Sequence, residues 1–215
     1  MVENILYIVA AYLIGSVPFG YIAGRLNGID LREHGSRNIG ATNAVRVLGK
    51  AWGIPVFVMD FLKGFAPLLY MKLHLGGELT AFTPGQMGWF LGVMFALILG
   101  HTFTCFLKFK GGKGVATTGG CLFALSPWVG LAALLFWIGS MILTRYVSFS
   151  SIMAGVGMII AALIELCLCD GTWTPADLMV IGLLALILIL VTVKHKANIV
   201  RIMNGTEPKA FAPKN

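Results

Sequence analysis

The chain has 215 residues, 58% of them hydrophobic and 12% charged, with a mean hydropathy of +0.86. That excludes a water-soluble domain, whose surface needs a polar coat this composition lacks, and it defines an integral membrane protein. The formal net charge of +7 must then collect in the short segments outside the hydrocarbon, where it carries topology and chemistry together.

In chain order, apolar stretches long enough to cross about 30 Å of hydrocarbon at about 1.5 Å per residue are expected near 4–24, 53–75, 87–107, 115–143, 147–169 and 176–193. The opening MVEN lacks the positive n-region of a signal peptide, so the first run is expected to be retained as a span. The fourth stretch is too long for one ordinary span and carries Ser126-Pro127-Trp128 in its middle. These breaker residues predict a short helix of about fourteen residues that turns back into a second span.

The distribution of positive charge decides the count. With seven spans and an outside N-terminus, the inner segments hold Arg25, Arg32, Arg37, Arg46, Lys50, Lys108, Lys110, Lys113, Arg145, Lys194, Lys196, Arg201, Lys209 and Lys214, which is 14 of the 16 basic residues. Lys72 alone is left outside, beside Glu3, Glu78, Asp170 and Asp177. Six spans would move Arg145 or the basic tail across the membrane and weaken the asymmetry. The expected fold is therefore an all-α polytopic membrane protein with seven transmembrane helices, an outside N-terminus and a cytoplasmic C-terminus. It is expected to be a single membrane domain over 1–215, because the longest non-apolar segment is residues 24–50, and no internal repeat stands out.

Cys105, Cys121, Cys167 and Cys169 match no zinc or haem spacing and read as small packing residues. Cys167 and Cys169 are two apart on an expected helix and point in different directions, which argues against a bridge between them. No metal, no cofactor and no nucleic-acid partner is expected.

Three polar constellations fall on the expected inner side. The first, HGSRNIGATNAVRVLGK at 34–50, combines small residues, hydroxyls and amides (Ser36, Asn38, Gly40, Thr42, Asn43) with Arg37 and Arg46, planar cations suited to bidentate oxyanion contacts. A basic juxtamembrane loop for anionic lipid would explain the arginines, but not the density of Ser, Asn and Gly. In the second, Gly111-Gly112-Lys113-Gly114 precedes a helix expected near Val115. Such glycines let backbone N–H groups converge on an anion at a helix N-terminus, with Lys113 to neutralise it. Gly114 stands where a Walker A loop has Ser or Thr, so no nucleotide is implied. In the third, KHKANIVRIMNGTE at 194–207, His195 and Asn198 share a face of a continuing helix and Arg201 follows one turn later. Deeper in the chain, Asp60 and Lys63, spaced i, i+3 in the second span, read as a structural ion pair lining the site. His101 reads as a helix-end or supporting residue rather than a base. Glu165 has no obvious sequence partner.

Taken together these motifs resemble the bacterial acyl-phosphate:glycerol-3-phosphate acyltransferase family. The likeness runs through AYLIGSVPFG (11–20), GSRNIGATN, DFLKG (60–64), GH (100–101), FKGGKGVAT (109–117), RYVS (145–148) and HKANIVRIMNGTE, nearly the whole chain. It implies seven helices with an outside N-terminus in the bacterial cytoplasmic (inner) membrane and an active site on the cytoplasmic side. It also implies transfer of an acyl chain from acyl phosphate to the 1-hydroxyl of glycerol 3-phosphate, giving 1-acyl-glycerol 3-phosphate (lysophosphatidic acid) and phosphate. By the resemblance, Ser36, Arg46, Lys113, His195 and Asn198 are the catalytic set that holds glycerol 3-phosphate. Gly111, Gly112, Gly114 and Thr117 clamp acyl phosphate, and Asn38, Gly40, Thr42, Asn43 and Arg201 add substrate contacts. The chain departs from the family at Thr104-Cys105, where many members have proline, which opens the question of how the third span ends.

The partners so implied are the two substrates and membrane lipid; docking of the enzyme that forms acyl phosphate on the basic face is left open. An acyl-CoA-dependent enzyme would carry His-x-x-x-x-Asp, and none of the four histidines has Asp five positions on. An organophosphate or anion transporter would show repeats and charges reaching both faces, and a lipid-binding scaffold would not need the ordered Gly, Ser and Asn pattern. Acyl phosphate is a mixed anhydride, so the site needs to bring two anions together rather than supply a strong acid. His195 is the conventional base. A substrate phosphate oxygen, with a second pKa of about 6, serves equally and is the preferred reading.

Overall fold

The structure is a computed structural model that describes residues 2–168 and 173–210. Cys169, Asp170, Lys214 and the side chain of Glu3 lie outside the described residues. Regular structure in the described residues is entirely helical, and the chain divides into two compact units, Met1–Leu125 and Ser126–Asn215.

The first unit holds α1 (Val2–Ser16), α2 (Phe19–Leu26), α3 (Ala41–Leu48), α4 (Lys50–His74), α5 (Pro84–Thr102) and α6 (Val115–Leu125). The stretch expected as one opening span is broken at Val17-Pro18, because proline has no N–H and its ring disfavours helix in the residue before it. Breaking a helix inside hydrocarbon exposes carbonyls that must find donors. Thr104 Oγ1 donates to Ser16 O at 2.6 Å, and Lys63 Nζ donates to Val17 O at 2.8 Å. The residue that departs from the family pattern thus closes the break in α1, and its hydroxyl also accepts from Phe106 N at 3.2 Å to start the 3-10 turn Cys105–Leu107.

α5 is the centre of this unit, with Phe90, Met94, Leu97 and Ile98 fully enclosed. It starts on a capping box, Thr83 with Gln86, and Pro84 at its first position. Helices approach closely where side chains vanish: a Cβ on Gly15 or Gly100 would overlap backbone across the α1–α5 contact, and one on Gly64 or Gly120 would do so across α4–α6. The loop before α4 is not featureless, since two turns of helix, α3, form within residues 41–48 and pack on α4.

The second unit holds α7 (Pro127–Thr144), α8 (Val147–Leu168), α9 (Pro175–Lys194) and α10 (Lys196–Met203). The break expected at Ser126-Pro127 is real: Ser126 caps α7, and Pro127 occupies its first position. Ser126 Oγ also donates to Glu165, at 2.9 Å to Oε2, supplying the partner that sequence did not suggest. Gly157 receives the ring of Phe136 from α7, and Gly155 receives Leu188 from α9. Ile142 and Leu143 stand outward on α7 as lipid-facing residues do.

Among the described residues six helices are long and apolar enough to cross a membrane: Asn4–Leu26, Lys50–His74, Pro84–Leu107, Pro127–Thr144, Val147–Leu168 and Pro175–Lys194. α6 is 11 residues long. At about 1.5 Å per residue it covers about half of a 30 Å core. It is shorter than expected because Gly114, at φ +81°, cannot begin a helix, and Ser126 already belongs to the next one. Lys72 Nζ donates to Leu125 O at 2.9 Å, so the one basic residue expected on the outer side closes the C-terminal end of α6.

Candidate functional site

In the first unit the loop between α2 and α3 is built around two buried side chains. Asp30 accepts from Arg32 Nη2 at 2.6 Å, from the Arg32 backbone N–H at 3.0 Å and from Arg25 Nη2 at 3.0 Å. The hydrogen bond from the Arg32 side chain, against the opposing effect of burial, holds the Asp30 carboxyl at about 2. Both guanidinium groups lie over the Tyr21 ring, at 5.0 and 4.8 Å. Asn43, on α3, is the second anchor. Its Oδ1 accepts from Ser36 N at 2.8 Å, and its Nδ2 donates to Asn38 O, His34 O and Leu31 O at 2.8, 3.0 and 3.1 Å.

This anchoring sorts the expected residues. Asn43 is buried and its amide is directed at the loop backbone, so it shapes the loop rather than meeting solvent. Asn38 Oδ1 accepts from Gly40 N at 2.8 Å and turns the chain into α3, with Gly40 as its N-cap. Ser36, Arg37, Thr42 and Arg46 remain exposed. Among the described residues Arg37 and Arg46 have no carboxylate partner, unlike Arg25 and Arg32. An exposed hydroxyl and an unneutralised guanidinium on a loop held by buried hydrogen bonds are the parts an oxyanion site needs.

The glycine-rich segment corrects one expectation. Gly111 N–H donates to Thr102 O at 3.2 Å and Gly112 N–H to His101 O at 3.0 Å, so these two groups close the end of α5 instead of converging on an anion. The glycines are needed for closeness: a Cβ on Gly111 would run into His101 O, and one on Gly112 into the His101 ring. Lys108 and Phe109, both at left-handed φ, reverse the chain ahead of them. What the segment presents to an anion is the half-buried Lys113 and the first turn of α6. Thr117 is fully enclosed, with its Oγ1 3.2 Å from His101 Nδ1, so its hydroxyl faces the framework. Behind it the Asp60–Lys63 pair forms as expected, 2.7 Å apart and buried, with His101 Nδ1 3.5 Å from the same Asp60 oxygen.

In the second unit the helix expected to continue through residue 195 is interrupted there. His195 ends α9 and precedes α10, so Asn198 is set by the new helix, its N–H donating to His195 O at 2.8 Å. His195 Nδ1 is 2.8 Å from Val191 O. A carbonyl can only accept, so the neutral ring carries its proton on Nδ1 and its lone pair on Nε2. Asn198 Nδ2 donates to Glu207 Oε1 at 2.7 Å, Ser148 Oγ to the same oxygen at 2.8 Å, and Arg201 Nε to Oε2 at 2.7 Å. Burial raises the Glu207 carboxyl, and these three donors outweigh it and hold it below the ordinary value. Arg201 is therefore tied to Glu207, and both His195 and Asn198 are buried.

Glu207 and Ser148 are the neighbours of Asn198 and Arg201 that sequence reasoning left without a role. The signal was a lone acid in a basic tail, beside the RYVS motif that already carried the resemblance.

Among the described residues, apolar spans joined to loops rich in hydroxyl, amide and cationic side chains define an all-helical, multi-pass membrane protein suited to a phosphate-bearing ligand. The glycerol-3-phosphate acyltransferase family model matches residues 5–205. Glycerol-3-phosphate acyltransferases from Acholeplasma laidlawii, Synechocystis and Aquifex aeolicus are 39%, 43% and 40% identical, over 95%, 92% and 93% of this chain and 92%, 86% and 95% of theirs. The crystal structure of PlsY, an integral membrane glycerol 3-phosphate acyltransferase, in its glycerol 3-phosphate form superposes with a TM-score of 0.82 at 37% identity, covering 96% of this chain and 95% of the other. Its lysophosphatidic acid form gives 0.80 at 36% identity over the same shares. The chain belongs to the glycerol-3-phosphate acyltransferase family.

Proposed function

We propose that this protein transfers an acyl chain from acyl phosphate to the 1-hydroxyl of glycerol 3-phosphate, as an enzyme of phospholipid synthesis in the bacterial inner membrane. The observation that carries the reading is the end-to-end likeness to an acyltransferase solved with glycerol 3-phosphate, in a chain whose exposed Ser36 and Arg46 suit a phosphate ester. The chain works as one membrane domain. Its α6 serves as the seventh transmembrane element, the N-terminus is outside, and the C-terminus and catalytic loops are cytoplasmic. The basic excess on that side supports this topology, and it offers a surface on which a soluble donor-forming enzyme can dock.

Ser36, Arg46, Lys113, His195 and Asn198 are the proposed catalytic set, with Thr42 and the first turn of α6 as further substrate contacts and Gly111, Gly112 and Gly114 shaping the segment that presents Lys113. Asn38, Gly40, Asn43, Thr117 and Arg201 serve the same substrates by holding these groups in place. The C1 hydroxyl oxygen attacks the acyl carbonyl carbon, the bond from that carbon to the phosphate oxygen breaks, and inorganic phosphate departs. The hydroxyl proton passes to a phosphate oxygen of a substrate. His195 orients glycerol 3-phosphate for this attack rather than taking the proton. Cations are placed where two phosphates would otherwise repel.

Purified protein supplied with acyl phosphate and glycerol 3-phosphate is expected to release one phosphate for each 1-acyl-glycerol 3-phosphate formed, and acyl-CoA should not replace the donor. Turnover of acyl-CoA, or phosphate release that ignores glycerol 3-phosphate, would overturn the reading.

A further inference from the structure

The sequence marks His101 as a helix-end or supporting residue without saying what it supports, and the fold sets it against the chain on both sides of Lys113. On the N-terminal side, Gly112 lies so close to the ring that a Cβ there would overlap Nε2, and the Gly112 N–H donates to the His101 carbonyl at 3.0 Å. On the C-terminal side, Thr117, in the first turn of α6, brings its Oγ1 to 3.2 Å from Nδ1. Lys113 is one residue from the first contact and four from the second. The chain on both sides of Lys113 is therefore tied to one buried residue, at Gly112 through the His101 carbonyl and close against its ring, and at Thr117 through the ring nitrogen.

The ring is in turn held from behind. Nδ1 is 3.5 Å from Asp60 Oδ1, and Lys63 Nζ is 2.7 Å from that oxygen. Lys63 also donates to Val17 O at 2.8 Å and lies 5.4 Å from the Phe19 ring centroid, on either side of the break between α1 and α2. A carboxylate facing Nδ1 favours a proton there, and the ring is oriented with Nε2 toward Gly112. Asp60 and Lys63 on α4, His101 on α5 and Thr117 on α6 thus form one connected support that ends at the glycine-rich segment. A purely architectural ion pair would not need a histidine ring wedged between it and the one segment whose lysine is expected to meet substrate.

We propose that His101, backed by Asp60 and Lys63, is the positioning residue for Lys113, and that it sets the reach of that ammonium toward the phosphate of glycerol 3-phosphate. This rests on the reading of Lys113 as a substrate cation, and the experiment separates the two.

Steady-state kinetics with both substrates varied are measured per folded molecule, alongside thermal midpoints, for wild type, Lys113→Ala, His101→Leu, His101→Asn and Thr117→Val. His101→Leu is expected to lower kcat/KM for glycerol 3-phosphate about 10- to 100-fold, the size of effect that a misplacement of about 1 Å produces. His101→Asn, which returns an amide close to the Nδ1 position, is expected to recover a large part of that loss. Thr117→Val, nearly isosteric and able to fold even where His101→Leu is not, is expected to lose activity in the same direction and less steeply. If the His101 and Thr117 variants shift only the midpoint and keep wild-type kcat and KM while Lys113→Ala loses turnover, the positioning role is wrong and the loop reading stands. If Lys113→Ala itself keeps wild-type kinetics, the loop reading fails and the positioning role fails with it.

Discussion

Asn43 offers the sharpest test of how the first loop is held. Changing it to Asp keeps its shape and its acceptor for Ser36 N–H, but replaces the amide nitrogen that faces Leu31 O, His34 O and Asn38 O with an oxygen. Leu31 is fully buried, so its carbonyl loses a donor that water does not replace, while His34 and Asn38 lie where water can reach them. Counting about 1–3 kcal/mol for the buried group and about 0.5 kcal/mol for each of the others gives about 2–4 kcal/mol of loop stability. Asn43→Ala should lose about that much, and Asn43→Asp at least as much, because a buried carboxylate then faces carbonyl oxygens. Ser36 hangs directly from this side chain, so KM for glycerol 3-phosphate should rise. The assay pairs that KM with the rate of proteolytic cleavage within residues 27–40. An Asn43→Asp protein with wild-type KM and wild-type resistance would refute the reasoning, because it would mean that the three carbonyls do not need their donor.

Other consequences follow from the same geometry. Gly112→Ala sets a methyl group against the His101 ring and should lower kcat/KM at least tenfold, whereas Gly139→Ala, with open space around its Cα on α7, should match wild type in the same phosphate-release assay. Thr104→Val removes the donor to Ser16 O at the break in α1 and should cost about 1–3 kcal/mol, read as a lower midpoint in thermal unfolding. Glu207 has a folded pKa below its unfolded one, so its contribution is complete above the unfolded value and disappears as pH falls through the folded value. The wild-type midpoint should therefore drop below about pH 4, and Glu207→Gln should be less stable at pH 7 and show a flatter decline. A variant that declines as steeply as wild type would mean that Glu207 is not the group titrating.

How much of this was legible in advance depended on whether partners lie near each other in the chain. Hydropathy located the six long spans among the described residues, and Ser126-Pro127 marked a break between helices, because helix length and proline are local properties. The Asp60–Lys63 pair was readable for the same reason, one helical turn apart. The length of α6 was not, since its start is set by the backbone of Gly114 at left-handed φ, and the donor that closes its last carbonyl is Lys72, 53 residues away. The glycines at 111 and 112 were noticed for the right position and the wrong cause: they make room for His101 rather than leave their N–H groups to a ligand. Asn43 looked like a substrate amide because nothing local says that four backbone groups at 31–38 will close around it. Glu207 was visible only as an acid in a basic tail, and its three donors come from α8 and α10.

The central claim is that a phosphate ester is recognised through the exposed cation and hydroxyl of the first loop, and the choice between glycerol 3-phosphate and glycerol tests it most directly. With acyl phosphate as donor, wild type should acylate glycerol 3-phosphate and leave glycerol at equal concentration essentially untouched. Arg46→Gln should narrow that preference by about 10- to 150-fold, the equivalent of one charge-assisted contact of about 1.5–3 kcal/mol. Acylation of glycerol as fast as of glycerol 3-phosphate, or a preference that Arg46→Gln leaves unchanged, would contradict the account.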